Sequence, residues 1–190
     1  MSLIGLCFPA ILAGCATLFT CFFFRDPERR SDSPEKALLS PADGRVLSVE
    51  RIEAEKSPSG ADAFKVSIFM SLFNVHVNRV PCSGTIRKIS YRAGKFFAAS
   101  LDKASELNER TMLYLDTEDN KRIVFIQIAG LIARRIVCWL EKDDEVTKGQ
   151  RFGLIRFGSR LEVFMPADSL IEVEPGQKAT AGKTVLGYLQ

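Results

Sequence analysis

The sequence predicts a mainly β (α+β) fold: one β-rich domain, sandwich- or barrel-like, with one or two short helices, preceded by an N-terminal membrane helix. Three observations lead to this prediction. The chain of 190 residues is long enough for one domain with its own core. Its first 24 residues carry no charge, and the rest holds many short runs of β-branched and apolar residues between turn residues. Such short strands are typical of a sandwich or barrel.

The N-terminal segment, residues 1–24, is long enough to form a membrane helix. A helix over the last 22 of these residues would be roughly 33 Å long and would cross a bilayer core. Arg25, Arg29 and Arg30 follow, and a basic flank beside an apolar span usually stays in the cytoplasm. The sequence therefore predicts attachment to the cytoplasmic (inner) membrane, with the remaining chain on the cytoplasmic side.

Two other interpretations of this segment need weighing. A cleavable signal peptide normally begins with positive charge, and none precedes the apolar run. A helical hairpin that enters the bilayer without crossing it would break near Pro9 and Gly14. Whether the segment spans the membrane or only inserts into it therefore stays open.

The rest of the chain divides into a polar linker, residues 25–35, and a folded domain, residues 36–190. The linker contains two prolines and several charges. Strands are predicted at Gly44–Ile52, Lys65–Met70, Phe73–Val80, Thr85–Tyr91, Thr111–Asp116, Arg122–Ala129 and Ile132–Leu140. One short helix is predicted over Ala98–Arg110, which lacks β-branched residues.

A short pattern occurs twice in the last third of the chain. Val-x-x-Gly-Gln stands at 146–150 and again at 173–177, and an apolar run follows each copy. The repetition predicts two similar hairpin units inside the β domain.

Composition excludes several classes of function. The net charge is only +3 and is evenly spread, which argues against a nucleic-acid partner. Five cysteines occur without a CxxC pair, and there is a single histidine, so neither a disulfide framework nor a metal site is expected.

The single histidine, His76, lies in the predicted strand Phe73–Val80. Strand alternation would put Asn74, His76 and Asn78 on one face and apolar residues on the other. A polar row of this kind fits the solvated face of a sheet or a reactive site. Histidine is the side chain whose ordinary pKa suits a base near neutral pH.

The pair Gly158-Ser159 lies between two apolar segments and is either a bulge or a reactive site. A serine hydroxyl can attack the preceding carbonyl if a base takes its proton, and Gly158 supplies the backbone freedom. His76 is the candidate base, and Asp43 could orient its imidazole. Asp43 also fits an ordinary Pro-x-Asp-Gly turn. Spacing alone leaves open whether these residues meet.

Several short segments occur together in a pattern typical of one enzyme family. They are Phe23–Pro27, Ser40–Gly44, Phe69–Met70, Phe73–Arg79, Gly94–Phe96, Asn108–Arg110, Gln127–Gly130, Ala133–Val137 and Phe157–Arg160. With them the chain resembles the short form of the phosphatidylserine decarboxylase family over nearly all of its soluble part. Leu72 stands where that family is expected to have proline.

The resemblance implies a proenzyme that cuts itself between Gly158 and Ser159. Asp43 and His76 would activate Ser159, and its oxygen would attack the Gly158 carbonyl. Elimination and hydrolysis would leave a pyruvoyl group in place of the serine. The products would be a β chain of residues 1–158 and an α chain of residues 159–190, which stay partners.

The resemblance also implies the reaction, the decarboxylation of phosphatidylserine to phosphatidylethanolamine. The substrate amine would form a Schiff base with the pyruvoyl group derived from Ser159, which replaces a bound coenzyme as electron sink. His76 would then protonate the carbanion. The expected partner is phosphatidylserine in the membrane, and a homo-oligomer is possible.

Five residues are candidates for substrate binding on the same resemblance. Phe96 and Phe97 could frame an entrance at the membrane surface or belong to the core. Arg134 and Arg135 could meet the lipid phosphate, but adjacent strand residues point opposite ways, so at most one is expected to do so. Asn78 completes this set.

Other functions remain open from the sequence. Archaetidylserine offers the same serine head group on ether-linked chains. A non-catalytic lipoyl- or biotinyl-like domain would need a modifiable lysine beside methionine, and the chain has no Met-Lys pair. A self-cleaving structural protein would be cut but would release no carbon dioxide.

Overall fold

The computed structural model describes residues 3–99, 107–131, 135–156 and 158–190, with only the backbone for residues 3–7. These residues contain one helix, α1 (Leu3–Phe23), and fourteen strands. The strands are β1 (Ala37–Leu39), β2 (Gly44–Ile52), β3 (Ala63–Met70), β4 (Val77–Arg79), β5 (Gly84–Arg92), β6 (Arg110–Asp116), β7 (Arg122–Ile128), β8 (Ile136–Cys138), β9 (Glu145–Val146), β10 (Arg151–Ile155), β11 (Ser159–Pro166), β12 (Leu170–Ile171), β13 (Lys178–Ala179) and β14 (Val185–Tyr188). The mainly β prediction is confirmed.

The strands form one large sheet and two small ones. The large sheet has eight strands in the order β13-β2-β3-β11-β7-β6-β5-β9. The small sheets have the orders β4-β10-β8 and β1-β14-β12. Neighbouring strands in all three sheets run antiparallel. The register shifts at bulges in β2 and β5, which increase the local twist of the large sheet.

An inner strand of the large sheet, β11, positions the candidate site. It pairs with β3 on one side and β7 on the other. Its alternate residues Leu161 and Val163 enter the main core, whereas Phe164 belongs to a smaller cluster on the other face. Because side chains alternate along a strand, Ser159 shares the core face with Leu161.

The N-terminal helix α1 ends at Phe23, and its side chains from Phe8 onward are exposed apart from Phe23 itself. Phe8 and Leu18 are each 73% exposed. Among the residues whose positions the structure describes, no helix has both the length and the apolar character that crossing a bilayer requires. The predicted membrane-spanning helix is therefore not supported.

The predicted linker, residues 25–35, is tied to the domain by charged groups. Asp26 forms an ion pair with Arg151, whose Nε lies 2.6 Å from its carboxylate, and another with Arg79 at 3.5 Å. Glu28 pairs with Arg151 at 2.5 Å. Lys148 donates to the carbonyl oxygens of Ser33 and Pro34. The segment thus has a defined path along the domain.

The strand predicted at Phe73–Val80 is wrong in its first half. Only Val77–Arg79 is a strand, because the Asn74 side chain accepts from the Ser71 N–H and hydroxyl at 2.8 Å and closes a turn. The expected polar row along one strand face is therefore not formed. His76 and Asn78 are nevertheless buried, which excludes a solvated face for both.

Two further predictions fall partly on residues outside the described ones. The helix predicted over Ala98–Arg110 includes residues 100–106, which are not described, and Arg110 already begins β6. The strand predicted at Ile132–Leu140 is observed only as β8, and residues 132–134 are not described.

The repeated Val-x-x-Gly-Gln pattern corresponds to two turns of the same geometry. Gly149 and Gly176 have φ values of 81° and 87°, and each following glutamine side chain accepts from a backbone N–H of its own turn. These turns do not join hairpins, which corrects the prediction. The first turn lies between β9 and β10 and the second between β12 and β13, but neither pair of strands is hydrogen-bonded together. β9 pairs with β5, β13 pairs with β2, and β10 and β12 pair with other strands that are distant in sequence.

Candidate active site around Ser159

Ser159 is the first residue of β11 and is fully buried. Its backbone partner on β3 is Met70, and its Oγ lies 3.4 Å from Met70 Sδ. Gly158 before it has a φ of 63°, in the left-handed region that favours glycine. A Cβ on Gly158 would meet no described atom within 4 Å, so the requirement for glycine is conformational rather than steric.

His76 lies just before β4 and is 3% exposed. Its ring packs on the ring of Phe23, the last residue of α1, with centroids 4.1 Å apart and planes at 30°. Neither ring nitrogen has a hydrogen-bond partner among the described residues. The stacking on Phe23 is a described contact that orients the imidazole.

Burial holds the imidazole of His76 in its neutral form. Desolvation, aided by the positive charge of Arg25, lowers the pKa of His76 from 6.5 to about 4. The Asn74 backbone and the negative charge of Asp43 oppose this shift but do not outweigh it. At neutral pH the ring is thus unprotonated and able to accept a proton, as a general base must be.

Asp43 is held by partners other than His76. Arg29 binds it with both guanidinium Nη atoms, one at 2.9 Å from Oδ2, and the Ala181 N–H donates to Oδ1 at 2.8 Å. Since no described hydrogen bond joins the His76 ring to Asp43, Asp43 acts on the imidazole through its charge. The structure thus brings Asp43 and His76 within electrostatic range without joining them.

Two buried amide side chains lie on the Ser159 side of the large sheet. Gln127 on β7 donates from Nε2 to Asn78 Oδ1 at 2.9 Å, and Asn78 Nδ2 lies 3.7 Å from Met70 Sδ. Met70 thus contacts both Ser159 and Asn78. No residue pattern selected Gln127 as a site residue; its place in the segment Gln127–Gly130 was the only available signal.

The remaining predicted binding residues are less closely connected to Ser159. Phe96 and Phe97 are half-buried, and the Asn108 side chain binds both the N–H and the carbonyl of Phe97 at 2.8 Å. Arg135 is exposed, and its carbonyl accepts from the Arg156 N–H at 3.5 Å. Arg134 lies outside the described residues.

The burial of His76 predicts that the folded protein becomes less stable as the pH is lowered. The folded pKa of about 4 lies below the ordinary 6.5, so the unfolded chain takes up this proton first as the pH falls. The contribution of His76 is therefore fully present above pH 6.5 and is lost on the way down to pH 4, by about 3 kcal/mol.

Urea unfolding at a pH above 6.5 and at pH 4 measures this loss of stability. His76→Phe keeps the stacking but cannot titrate, and both proteins carry Ser159→Ala so that the chain stays whole. We expect the free energy of unfolding to fall less for His76→Phe than for its parent. Equal losses in the two proteins would contradict the assignment.

Comparison with known proteins gives one consistent result. The sequence model of the phosphatidylserine decarboxylase family matches residues 16–187. A relative from Syntrophus aciditrophicus is 56% identical over 94% of this chain and 83% of its own length. Relatives from Desulfotalea psychrophila and Geobacter metallireducens are 49% and 46% identical over 92% and 96% of this chain, which is 81% and 83% of their lengths. All three are named phosphatidylserine decarboxylase proenzyme.

Proposed function

Because the chain belongs to the phosphatidylserine decarboxylase family, we propose that it is a proenzyme that matures into a phosphatidylserine decarboxylase. It releases the serine carboxylate of the lipid as carbon dioxide and leaves phosphatidylethanolamine. The observation that carries the proposal is a fully buried serine, Ser159, directly after a glycine with a left-handed φ. Its hydroxyl contacts a thioether, which is a weak acceptor, so little energy holds it back from the preceding carbonyl.

Maturation uses the chain's own groups. Ser159 Oγ bonds to the Gly158 carbonyl carbon, the peptide C–N bond breaks, and the hydroxyl proton passes by way of His76 to the new amino group. Elimination then removes the Ser159 Cα proton and breaks the Cβ–Oγ bond, so Gly158 leaves as a carboxylate. Water replaces the nitrogen, which leaves as ammonia. No described hydrogen bond joins Ser159 to His76, so before the attack the Ser159 hydroxyl must leave Met70 and reach the neutral imidazole.

The residues around Ser159 fit the resulting pyruvoyl group. Its place is the core face of β11, where Met70 lies opposite and the amides of Asn78 and Gln127 follow. The carbonyl of the group supplies the electron sink for the loss of carbon dioxide. We assign to His76 the return of a proton to the carbon that loses the carboxylate.

A direct assay tests this function. Purified protein is incubated with vesicles containing phosphatidylserine, and carbon dioxide and phosphatidylethanolamine are measured by mass spectrometry. We expect both products in equal amounts. A protein that is cut at Gly158-Ser159 but releases no carbon dioxide would contradict the proposal. An ether-linked serine lipid in a parallel sample shows whether the acyl linkage matters.

The exposed surface of α1 supports membrane attachment. Apolar side chains on this helix face solvent, and Phe24 and Phe73 beyond its end are 48% and 69% exposed. Arginines lie among them: Arg25 stacks on Phe22 and donates to the Phe73 carbonyl at 2.7 Å. Apolar groups rimmed by arginine suit the interface of an anionic bilayer. We therefore place the protein on the cytoplasmic membrane, with α1 inserted and the domain on the cytoplasmic side.

Charges on α1 are expected to release the protein from membranes. Ile11→Glu with Leu18→Glu puts two carboxylates into the exposed apolar surface and should lower vesicle binding at least about tenfold. Flotation with vesicles of phosphatidylserine and phosphatidylcholine measures the bound fraction. Leu170→Glu makes the same change at a residue of β12 that is 52% exposed and should leave binding unchanged. Equal flotation of the double variant and the parent would exclude α1 as the attachment.

A further inference from the structure

One buried acceptor near Ser159, the side-chain oxygen of Gln127, lacks a hydrogen-bond partner among the described residues. Gln127 is fully buried, and its Oε1 accepts no hydrogen bond from any described residue. An amide oxygen left unpaired in a protein interior costs free energy, and such atoms are few in native structures. A bound group that donates a hydrogen bond would remove this cost.

The Gln127 amide is held in one orientation. Its Nε2 donates to Asn78 Oδ1 at 2.9 Å and to the Val137 carbonyl at 3.4 Å. Gly153 leaves room for it, since a Cβ there would lie 3.0 Å from Nε2. Two acceptors on the nitrogen side fix which end is oxygen. The fold therefore sets the position of the Gln127 oxygen, which no described residue donates to.

The amide pair lies beside the reacting residue. Gln127 stands opposite Leu161 in the β7–β11 register, two residues along from Ser159 on the same face of β11. Met70 Sδ links Ser159 Oγ, at 3.4 Å, to Asn78 Nδ2, at 3.7 Å. A thioether is a weak acceptor on a flexible side chain, so Asn78 can exchange it for a better one.

We propose that Gln127 and Asn78 bind the α-amino acid head group of the substrate. Gln127 Oε1 accepts from its amino group, and Asn78 Nδ2 donates to its carboxylate. The pair offers one free acceptor and one weakly used donor, which matches a group with one amine and one carboxylate. This inference rests on the proposed function, because it assumes that the residue at 159 receives a serine lipid.

Capture of a soluble head group tests the inference without turnover. Glycerophosphoserine, or glycerophosphoethanolamine, is added to the matured protein with cyanoborohydride, and the covalent adduct on the α chain is counted by intact mass. Gln127→Met should raise the half-saturating concentration of both probes at least about tenfold. Asn78→Asp puts a negative charge next to the carboxylate of the bound serine probe. It should therefore lower the preference for the serine probe over the ethanolamine probe by a similar factor.

Matched variants separate binding from folding. Gln177→Met makes the same exchange at an exposed turn glutamine and should behave like the parent. If the Gln127→Met protein is not cut, Gln127→Asn is used in its place. Asparagine is shorter by one methylene and so withdraws the oxygen, and the same rise in half-saturating concentration is expected. A cut Gln127 variant with the parent's half-saturation would overturn the inference. A parent protein that captures neither probe would overturn the proposed function instead.

Discussion

Ser159→Ala is expected to remain one chain of 190 residues and to release no carbon dioxide from phosphatidylserine. Alanine lacks the oxygen that must bond to the Gly158 carbonyl, so no cut follows and no pyruvoyl group is made. Intact mass measures the first result, and the vesicle assay measures the second. The change removes one atom from a fully buried side chain whose described partner is a thioether, so the fold should be retained.

Ser169→Ala is the matched control. Ser169 is also buried, and its hydroxyl has no hydrogen-bond partner among the described residues, but it lies beyond the end of β11. This variant should be cut and active like the parent. A Ser159→Ala protein found as two chains divided at the same position would show that another group makes the cut.

His76→Phe is expected to slow the cut by roughly 10²–10⁴-fold, the usual contribution of a general base. Phenylalanine can keep the stacking on Phe23, so the loss should reflect chemistry rather than packing. Freshly translated protein, sampled over time on a denaturing gel, gives the rate of the cut. A rate equal to that of the parent would remove His76 from the maturation step.

The pH dependence of the cut adds an independent readout. With the pKa of His76 lowered to about 4, the parent's rate should be flat above pH 5 and fall only as the pH approaches 4. Phe23→Leu loosens the ring cover, lets water reach the imidazole and should move the midpoint upward toward 6.5. An unchanged midpoint in Phe23→Leu would show that α1 does not set the environment of His76.

Local patterns predicted the strands well where burial follows simple alternation or continuous apolarity. The strand predicted at Gly44–Ile52 is observed with the same bounds, and Thr111–Asp116 and Arg122–Ala129 each differ from the structure by one residue. The prediction failed at Phe73–Val80, where the Asn74 side chain competes for backbone donors. It also failed for the hairpins, because equal turns do not determine which distant strands pair.

The candidate site divides in the same way. The Gly158-Ser159 pair and the single histidine could be selected from the sequence, because their chemistry depends on residue type and, for the pair, on adjacency. The partner of Asp43 could not, since Arg29 reaches it from the segment before β1. Gln127 was missed because 49 residues separate it from Asn78, the side chain that orients it.

By itself, then, the sequence determined the β-rich fold and the family, and it selected the serine that we propose to react. These follow from side-chain periodicity, from residue identity and from a bond between neighbours in the chain. Only the tertiary structure decided that Phe23 covers His76, that burial keeps this imidazole neutral, and that an amide oxygen with no partner in the described part of the chain lies on the same face as Ser159. Desolvation and hydrogen-bond pairing depend on which distant segments pack together, and no local pattern in the chain encodes that.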